Sequence, residues 1–349
     1  MKALVKTKKG EGNIELLEKP IPEIGDEEVL IKVAYGGICG TDLHILSDRY
    51  TYYPPVTIGH EFSGVIVKSG VKVKNFKEGD KVVGEPHNEA CGTCYLCRTG
   101  NVQICDKKRS IGSGIDGAFA EYVKMPEKLL HKIPENVSLK TAAFCEPLAI
   151  VAHQLIERAK VYAGDYVVVT GAGPIAMLAG LVAKAAGARR VIMCGCTVDE
   201  GVRFPAALNA GAFDRFINVQ KDDSVKIILD ETGGIGADIV VECSGANSAI
   251  INAVKCLKKK GRLCAIGLSG KESVNFPYNE AMQKVIDMYF NMSSSYTGWE
   301  IALNLLKADK LNLDPLIKVM PLSKFNEAFD ELINGKAVKI MLTAFDEYL

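Results

Sequence analysis

The apolar positions of the first 150 residues fall in short runs separated by Gly and Pro. Val29-Leu30-Ile31-Lys32-Val33 and Gly64-Val65-Ile66-Val67 are β-branched runs, and Glu78-Gly79-Asp80-Lys81-Val82-Val83 reads as a turn feeding a strand. Short strands broken by turns predict a β-rich, barrel-like domain. The pattern then changes. Tyr166-Val167-Val168-Val169-Thr170 is apolar without alternation, as expected of a strand covered on both faces of a parallel sheet. A helical pattern follows over 174–186. Strand patterns at 190–193, 238–241 and 262–266 succeed it, with an amphipathic helix over 248–258. This alternation predicts an α/β fold with a doubly wound parallel sheet. From about residue 291 the chain adds helical patterns at 299–307 and 323–333 and a last strand at 338–342.

A length of 349 residues suggests two domains, and a hydrophobic fraction of 48% supplies two sizeable cores. Lys+Arg and Asp+Glu both total 42, so no basic face points to nucleic acid or to an anionic membrane surface. No apolar run approaches the roughly 20 residues needed to span a bilayer. Met1-Lys2-Ala3-Leu4-Val5-Lys6 reads as a first strand and lacks the apolar core of a signal peptide. The expectation is a cytoplasmic protein with a small-molecule substrate and neither nucleic-acid nor membrane partners. In that setting, clustered cysteines point to metal rather than to disulfides.

Three separated segments carry candidate metal chemistry. Ile58-Gly59-His60-Glu61-Phe62 opens a strand after the Pro54-Pro55 turn signal. Cys39 lies in Ile38-Cys39-Gly40-Thr41-Asp42-Leu43-His44, and Glu146 in Cys145-Glu146-Pro147-Leu148. Thiolate, imidazole and carboxylate are the side chains zinc accepts, and a catalytic zinc takes three protein ligands and leaves one position open. Cys39, His60 and one or both of Glu61 and Glu146 are read as that site. A histidine beside a glutamate is by itself more often a satisfied core residue; the company of Cys39 and Glu146 makes the metal reading.

The most specific signal is Cys91-x2-Cys94-x2-Cys97-x7-Cys105. Four of eleven cysteines within fifteen residues match a closed, tetrahedral structural zinc, which shapes a loop and does no chemistry.

Gly171-Ala172-Gly173-Pro174-Ile175-Ala176 joins the 166–170 strand to a helix. The first glycine makes the tight turn, the second lets a pyrophosphate approach the backbone, and the helix N-terminus offers free N–H groups to it. This is the fingerprint of a dinucleotide cofactor, NAD or NADP. Gly171, Gly173, Pro174 and Ile175 are its candidate contacts, with Ile266, Gly267 and Leu268 at a later strand end. The acid expected about 20 residues on, to bond the ribose, is replaced by Gly195. Asp199, Glu200 and Arg203 follow. Gly195 would leave room for a 2′-phosphate, with Arg203 or Thr197 as partners; both could equally be solvated surface.

Together these residues resemble the zinc-dependent medium-chain dehydrogenases over nearly the whole chain. Glu146-Pro147-Leu148 looks like the sorbitol (polyol) dehydrogenase branch, where a glutamate replaces a cysteine of simple alcohol dehydrogenases. Val191-Ile192-Met193-Cys194-Gly195 and the Cys39 segment look closest to arabitol-phosphate dehydrogenases. The resemblance implies a GroES-like catalytic domain over 1–150 and 291–349, with the zinc lobe at 88–108, and a Rossmann domain over 151–290. It implies two zincs per chain and a homo-oligomer, dimer or tetramer. It also implies catalytic roles for Glu61 and Glu146, and a proton relay through Thr41 and His44. The chain departs from the sorbitol type at Asn291-Met292-Ser293, where such enzymes often carry an arginine.

The expected reaction is the reversible oxidation of a secondary hydroxyl of a polyol, free or phosphorylated, to a ketose with hydride transfer to NAD(P). Arg49, Arg98 and Lys107 are candidate phosphate partners, or ordinary surface cations. The rival readings are a simple alcohol or threonine-type dehydrogenase and a non-catalytic cofactor-binding protein on the same fold. His87, His131 and His153 have no metal-ligand spacing, and the remaining six cysteines read as small buried hydrophobes.

Overall fold

The computed structural model describes residues 1–349, which divide into two compact units. The first comprises Met1–Glu146, Leu306–Ala308 and Ile317–Leu349. Its main sheet runs, in spatial order, Ile317–Pro321, Lys339–Thr343, Glu28–Gly37, Glu61–Ser69, Lys81–Gly84 and Leu130–Lys132, with Tyr122–Pro126 also paired to Glu28–Gly37. The β-branched runs form these strands because each offers one face to a shared core. Val29, Ile31 and Val33 pack there with Phe62, Ile66, Val82 and Met125. The antiparallel register sets Gly37 opposite both Glu61 and Met341, which brings the start of one strand and the end of the chain to the same edge of the central ladder.

The second unit comprises Pro147–Leu305 and Asp309–Leu316. Its six strands are all parallel, in the order Arg215–Asn218, Arg190–Gly195, Tyr166–Thr170, Ala237–Glu242, Leu257–Ala265, Asp287–Phe290. Numbered along the chain this is 3-2-1-4-5-6, the order of the doubly wound dinucleotide-binding sheet, with its switch point beside the first strand. Every residue of Tyr166–Thr170 is buried, as an unalternating apolar strand requires.

Three boundaries differ from the sequence reading. The 248–258 helix ends at Cys256, because Leu257 pairs with Ala237 and already belongs to the next strand. The 323–333 helix begins at Phe325, after a short 3₁₀ turn over Leu322–Lys324. Residues 147–150, 291–305 and 309–316, assigned from the sequence to the catalytic domain, fall in the nucleotide unit. The helix Tyr296–Lys307 is tied there: Ser295 donates to Glu157 at 2.7 Å, Gln154 donates to the Ser293 carbonyl at 3.2 Å, and Trp299 is buried. No helix is long and apolar enough to cross a membrane.

Candidate functional site

In the first unit the short helix Gly40–Leu46 carries one end of the candidate metal centre. Asp42 closes a capping box: its Oδ2 accepts from the backbone N–H of Cys39, the N-cap, at 2.8 Å. Its other oxygen, fully buried, lies 3.9 Å from His60 Nδ1. One aspartate thus steadies the residues on either side of the site. His60 follows Gly59, whose φ of +92° is a left-handed conformation that L residues rarely adopt. A Cβ at Gly59 would also collide with the Phe119 ring. The Gly-His pair therefore turns His60 inward beneath Phe119, and Glu61 begins the next strand.

The ligand atoms of Cys39, His60 and Glu61 all lie within 4.8 Å of one another. Glu146 stands outside that group, buried, at the start of the helix Cys145–Ala152. It is near enough to act on His60 electrostatically. Burial opposes protonation of His60, but the Cys39 thiolate, with Asp42 and Glu146, outweighs it and holds the imidazole well above its ordinary range. Burial lifts the Glu146 carboxyl to about 7. One oxygen each of Glu61, Glu146 and Asp42 is buried without a hydrogen-bond partner. Buried orphan oxygens around a thiolate and an imidazole fit a divalent zinc, which would satisfy them.

The sequence reading omits Lys339. It is 1% exposed, forms an ion pair with Glu61 Oε2, and donates to the Ile38 carbonyl at 2.8 Å. One Glu61 oxygen is thereby neutralised by an ammonium. The signal was faint: a lysine in an otherwise apolar closing strand, Lys339–Thr343. Thr41 lies with Oγ1 3.8 Å from Cys39 Sγ. His44 is exposed on the same helix, and no hydrogen bond joins it to Thr41. His87 and His131, read as singletons, both approach the buried Glu85, His131 Nε2 at 2.9 Å and His87 Nε2 at 3.8 Å.

The four lobe cysteines converge. Cys91 and Cys97 Sγ are 3.9 Å apart, Cys94 and Cys105 3.9 Å, Cys105 and Cys91 3.7 Å. Zn–S bonds of about 2.3 Å in a tetrahedron give edges of about 3.8 Å, whereas a disulfide needs about 2.05 Å. The lobe therefore fits a four-thiolate zinc and contains no disulfide. Backbone N–H groups of Thr93 and Cys94 lower the Cys91 thiol to about 6, as befits a thiolate ligand.

In the second unit Gly173 is the N-cap and Pro174 the first residue of the helix Pro174–Ala185. Gly171, Gly173, Gly195 and Arg203 line a cavity of about 380 Å³ at the C-terminal ends of the strands. Pro174 and Ile175 do not line it, and neither does Thr197, whose hydroxyl accepts from Asn218 at 3.0 Å. Ile266, Gly267 and Leu268 line a second cavity of about 500 Å³ with Phe290 and Asn291. Asp199 is committed inside the protein: it accepts from the Cys196 N–H at 2.8 Å and pairs with Arg203 at 3.1 Å. Gly195 has a packing reason too, since a Cβ there would lie 2.7 Å from the Phe216 ring and 3.0 Å from Asp199 Oδ2. An acid does not fit at 195.

Comparison with known proteins places these sites in context. A family model described as alcohol dehydrogenase GroES-like domain matches residues 25–135, and one described as zinc-binding dehydrogenase matches 174–308. The chain is similar to a sorbitol dehydrogenase of Halalkalibacterium halodurans, 39% identical over 347 residues, covering 99% of this chain and 100% of that one. It is 34% identical to a D-arabitol-phosphate dehydrogenase of Enterococcus avium, over 99% of this chain and 98% of that one. It is 36% identical to an L-threonine 3-dehydrogenase of Pyrococcus horikoshii, over 98% of each. Among solved structures, a zinc-binding dehydrogenase of Sinorhizobium meliloti bound to NADP aligns with a TM-score of 0.90 at 29% identity, over 98% of each chain.

Proposed function

The chain belongs to the zinc-binding dehydrogenases that carry an alcohol dehydrogenase GroES-like domain, and from that premise we propose that it oxidises a secondary hydroxyl of a sugar alcohol to a ketose, reversibly, with hydride transfer to a nicotinamide dinucleotide. The observation that carries this reading is Glu146: a buried carboxylate with an uncommitted oxygen beside the Cys39–His60–Glu61 cluster, where a second cysteine is absent. The two polyol dehydrogenases among the relatives, matched along nearly their full length, support it.

Zinc, when bound, supplies Lewis acidity toward the alcohol oxygen, and the dinucleotide supplies the hydride acceptor. Cys39 and His60 are the proposed thiolate and imidazole ligands, with a carboxylate as the third. Because Lys339 already pairs with Glu61 Oε2, the uncommitted buried oxygen of Glu146 makes it the favoured third ligand. Asp42 fixes the backbone of Cys39. Thr41, whose Oγ1 is 3.8 Å from Cys39 Sγ, is the proposed acceptor of the hydroxyl proton. His44 is the solvent end of the path, and the gap between them calls for a bridging hydroxyl or water. Cys91, Cys94, Cys97 and Cys105 would hold a second zinc, which would shape the lobe. Gly171, Gly173, Gly195 and Arg203 form the dinucleotide cleft, and Asp199, being already paired, leaves NAD and NADP both admissible.

A threonine-type dehydrogenase is the second reading, favoured by the 36% relative. The test is a substrate panel of pentitols, hexitols, L-threonine and simple alcohols, each with NAD and NADP, following the absorbance of reduced nicotinamide. Polyols are expected to lead by at least roughly tenfold in kcat/KM, about 1.4 kcal/mol of transition-state binding. A lead for L-threonine overturns the polyol reading.

A further inference from the structure

We propose that Arg49, Lys108 and Arg109 form a phosphate-binding subsite, and that the polyol oxidised by this chain carries a phosphate monoester. The inference rests on the polyol reading above and adds the identity of its substrate class.

The three cations come from two segments. One follows the helix Gly40–Leu46; the other follows the cysteine lobe. A backbone bond from the Tyr53 N–H to the Ser113 carbonyl, 2.9 Å, joins the segments. Between them lies a cavity of about 420 Å³, lined also by the hydroxyl residues Thr51, Ser110 and Ser113. It belongs to the same compact unit as Cys39, His60 and Glu146.

None of the three cations is paired with a carboxylate. Arg49 Nε donates only to Ser47 Oγ at 2.9 Å, and the Lys108 ammonium donates to the Gln103 carbonyl. The guanidinium carbon of Arg109 lies 3.4 Å from the centre of the Tyr53 ring, and its Nη1 is closed to solvent with no hydrogen-bond partner. Charged donors withdrawn from water and left without an acceptor are destabilising unless a ligand supplies one. Asp106 is the one carboxylate on the lining, and it is exposed. Three cations against the Asp106 carboxylate and the Cys105 thiolate, which also lines the cavity, leave the lining net positive.

That charge matches a phosphate monoester, which carries about −1.5 to −2 near neutral pH. A guanidinium held against an aromatic ring offers a fork of N–H donors suited to phosphate oxygens, and three hydroxyls can bond the rest. The pocket is tied to the candidate metal centre by the helix Gly40–Leu46, whose N-cap is Cys39 and whose end leads directly into Arg49. A polyol chain can thus set its phosphate on Arg109 and a hydroxyl at the centre. The dinucleotide's own phosphates have a separate cradle at the glycine turn of the other unit. Of the three cations named from the sequence, Arg49 lines this pocket and Arg98 and Lys107 do not; Lys108 and Arg109 do.

The zinc-loaded enzyme is assayed with pentitols and hexitols and with the same polyols phosphorylated at a terminal hydroxyl. In wild type, kcat/KM for the phosphorylated forms is expected to exceed that for the free forms by roughly 100-fold, mostly through KM. Arg109→Gln is expected to lower that ratio by roughly 10- to 100-fold, the worth of one or two charge-assisted hydrogen bonds. Arg109→Lys, which keeps the charge and loses the fork, should recover part of it. Thermal midpoint and zinc content check that each variant folds; if Arg109→Gln does not, exposed Arg49→Gln replaces it. Equal kcat/KM for the two classes in wild type, or a ratio indifferent to the substitution, overturns the subsite while the polyol reading stands. If neither class is oxidised, the polyol reading and the substrate assignment fall together. Calorimetry with inorganic phosphate then decides the anion site: binding lost in Arg109→Gln upholds it, and no binding, or binding indifferent to Arg109, removes it.

Discussion

Lys339 is the residue whose role is least visible in the chain and plainest in space. A lysine is almost never fully buried unless paired, and this one meets Glu61 inside the sheet while also donating to the Ile38 carbonyl. Removing one partner of a buried ion pair leaves the other charge uncompensated, which typically costs about 3–5 kcal/mol. Lys339→Met is therefore expected to lower stability by about that much. It should also weaken zinc at the centre, because Glu61 is then free to reorient. Chemical denaturation and zinc analysis measure both effects. Lys339→Arg should retain most of the zinc, and Glu61→Gln in the Lys339→Met background should recover part of the stability, since the stranded charge is gone. A Lys339→Met protein as stable as wild type, with its full zinc content, would mean that the pair holds neither fold nor metal.

At the scale of elements, the motifs that local geometry dictates were legible. The cysteine lobe, the strand–turn–helix of the dinucleotide cleft and the buried Tyr166–Thr170 strand all rest on spacing within a few residues. Partners supplied by distant elements were not legible: Asp42 as the cap behind Cys39 was the only near one, signalled by its position three residues on. Lys339 pairs across a sequence separation of 278 residues, and Phe119 reaches Gly59 from a different loop. The Gly59–His60–Glu61 turn shows what such a partner imposes. With φ at +92° and the Phe119 ring against it, position 59 admits no side chain without strain and displacement. Gly59→Ala is expected to lower stability by about 2–4 kcal/mol, combining left-handed strain with overpacking, and to move His60 enough to reduce zinc occupancy. Thermal unfolding and zinc analysis of Gly59→Ala test this; an unchanged midpoint and two zincs per chain would show that the turn is not what aims His60.

Over the whole molecule, the two-unit α/β architecture followed from where the hydrophobic pattern changes from short, turn-broken strands to alternating strands and helices. The boundary near 291 was missed because the helix Tyr296–Lys307 has an ordinary amphipathic pattern, and only its tertiary partners, Glu157 and Gln154, assign it to the nucleotide unit. Within the catalytic unit the two candidate zinc sites are built from different donors, and that difference predicts how they respond to metal removal. The lobe offers four thiolates spaced for a closed tetrahedron, a soft and complete ligand set. The centre offers one thiolate, one imidazole and carboxylates, a harder and mixed ligand set. Under limiting chelator at equilibrium, the centre should release its zinc first. Turnover is then expected to fall in step with the first equivalent released, while the thermal midpoint stays nearly constant. The second equivalent should lower the midpoint sharply, because structural zinc contributes folding free energy. Glu146→Ala should reproduce the first stage without chelator, giving about one zinc per chain and a large loss of turnover, if its carboxylate is a direct ligand. Were it only to support a ligand, zinc would persist with affinity or activity weakened roughly 10–100-fold. Zinc quantitation alongside turnover and thermal melting follows all three arms. Release of the lobe zinc first with turnover intact would reverse the order argued from the donors, and two zincs with near-normal turnover in Glu146→Ala would remove that residue from the centre.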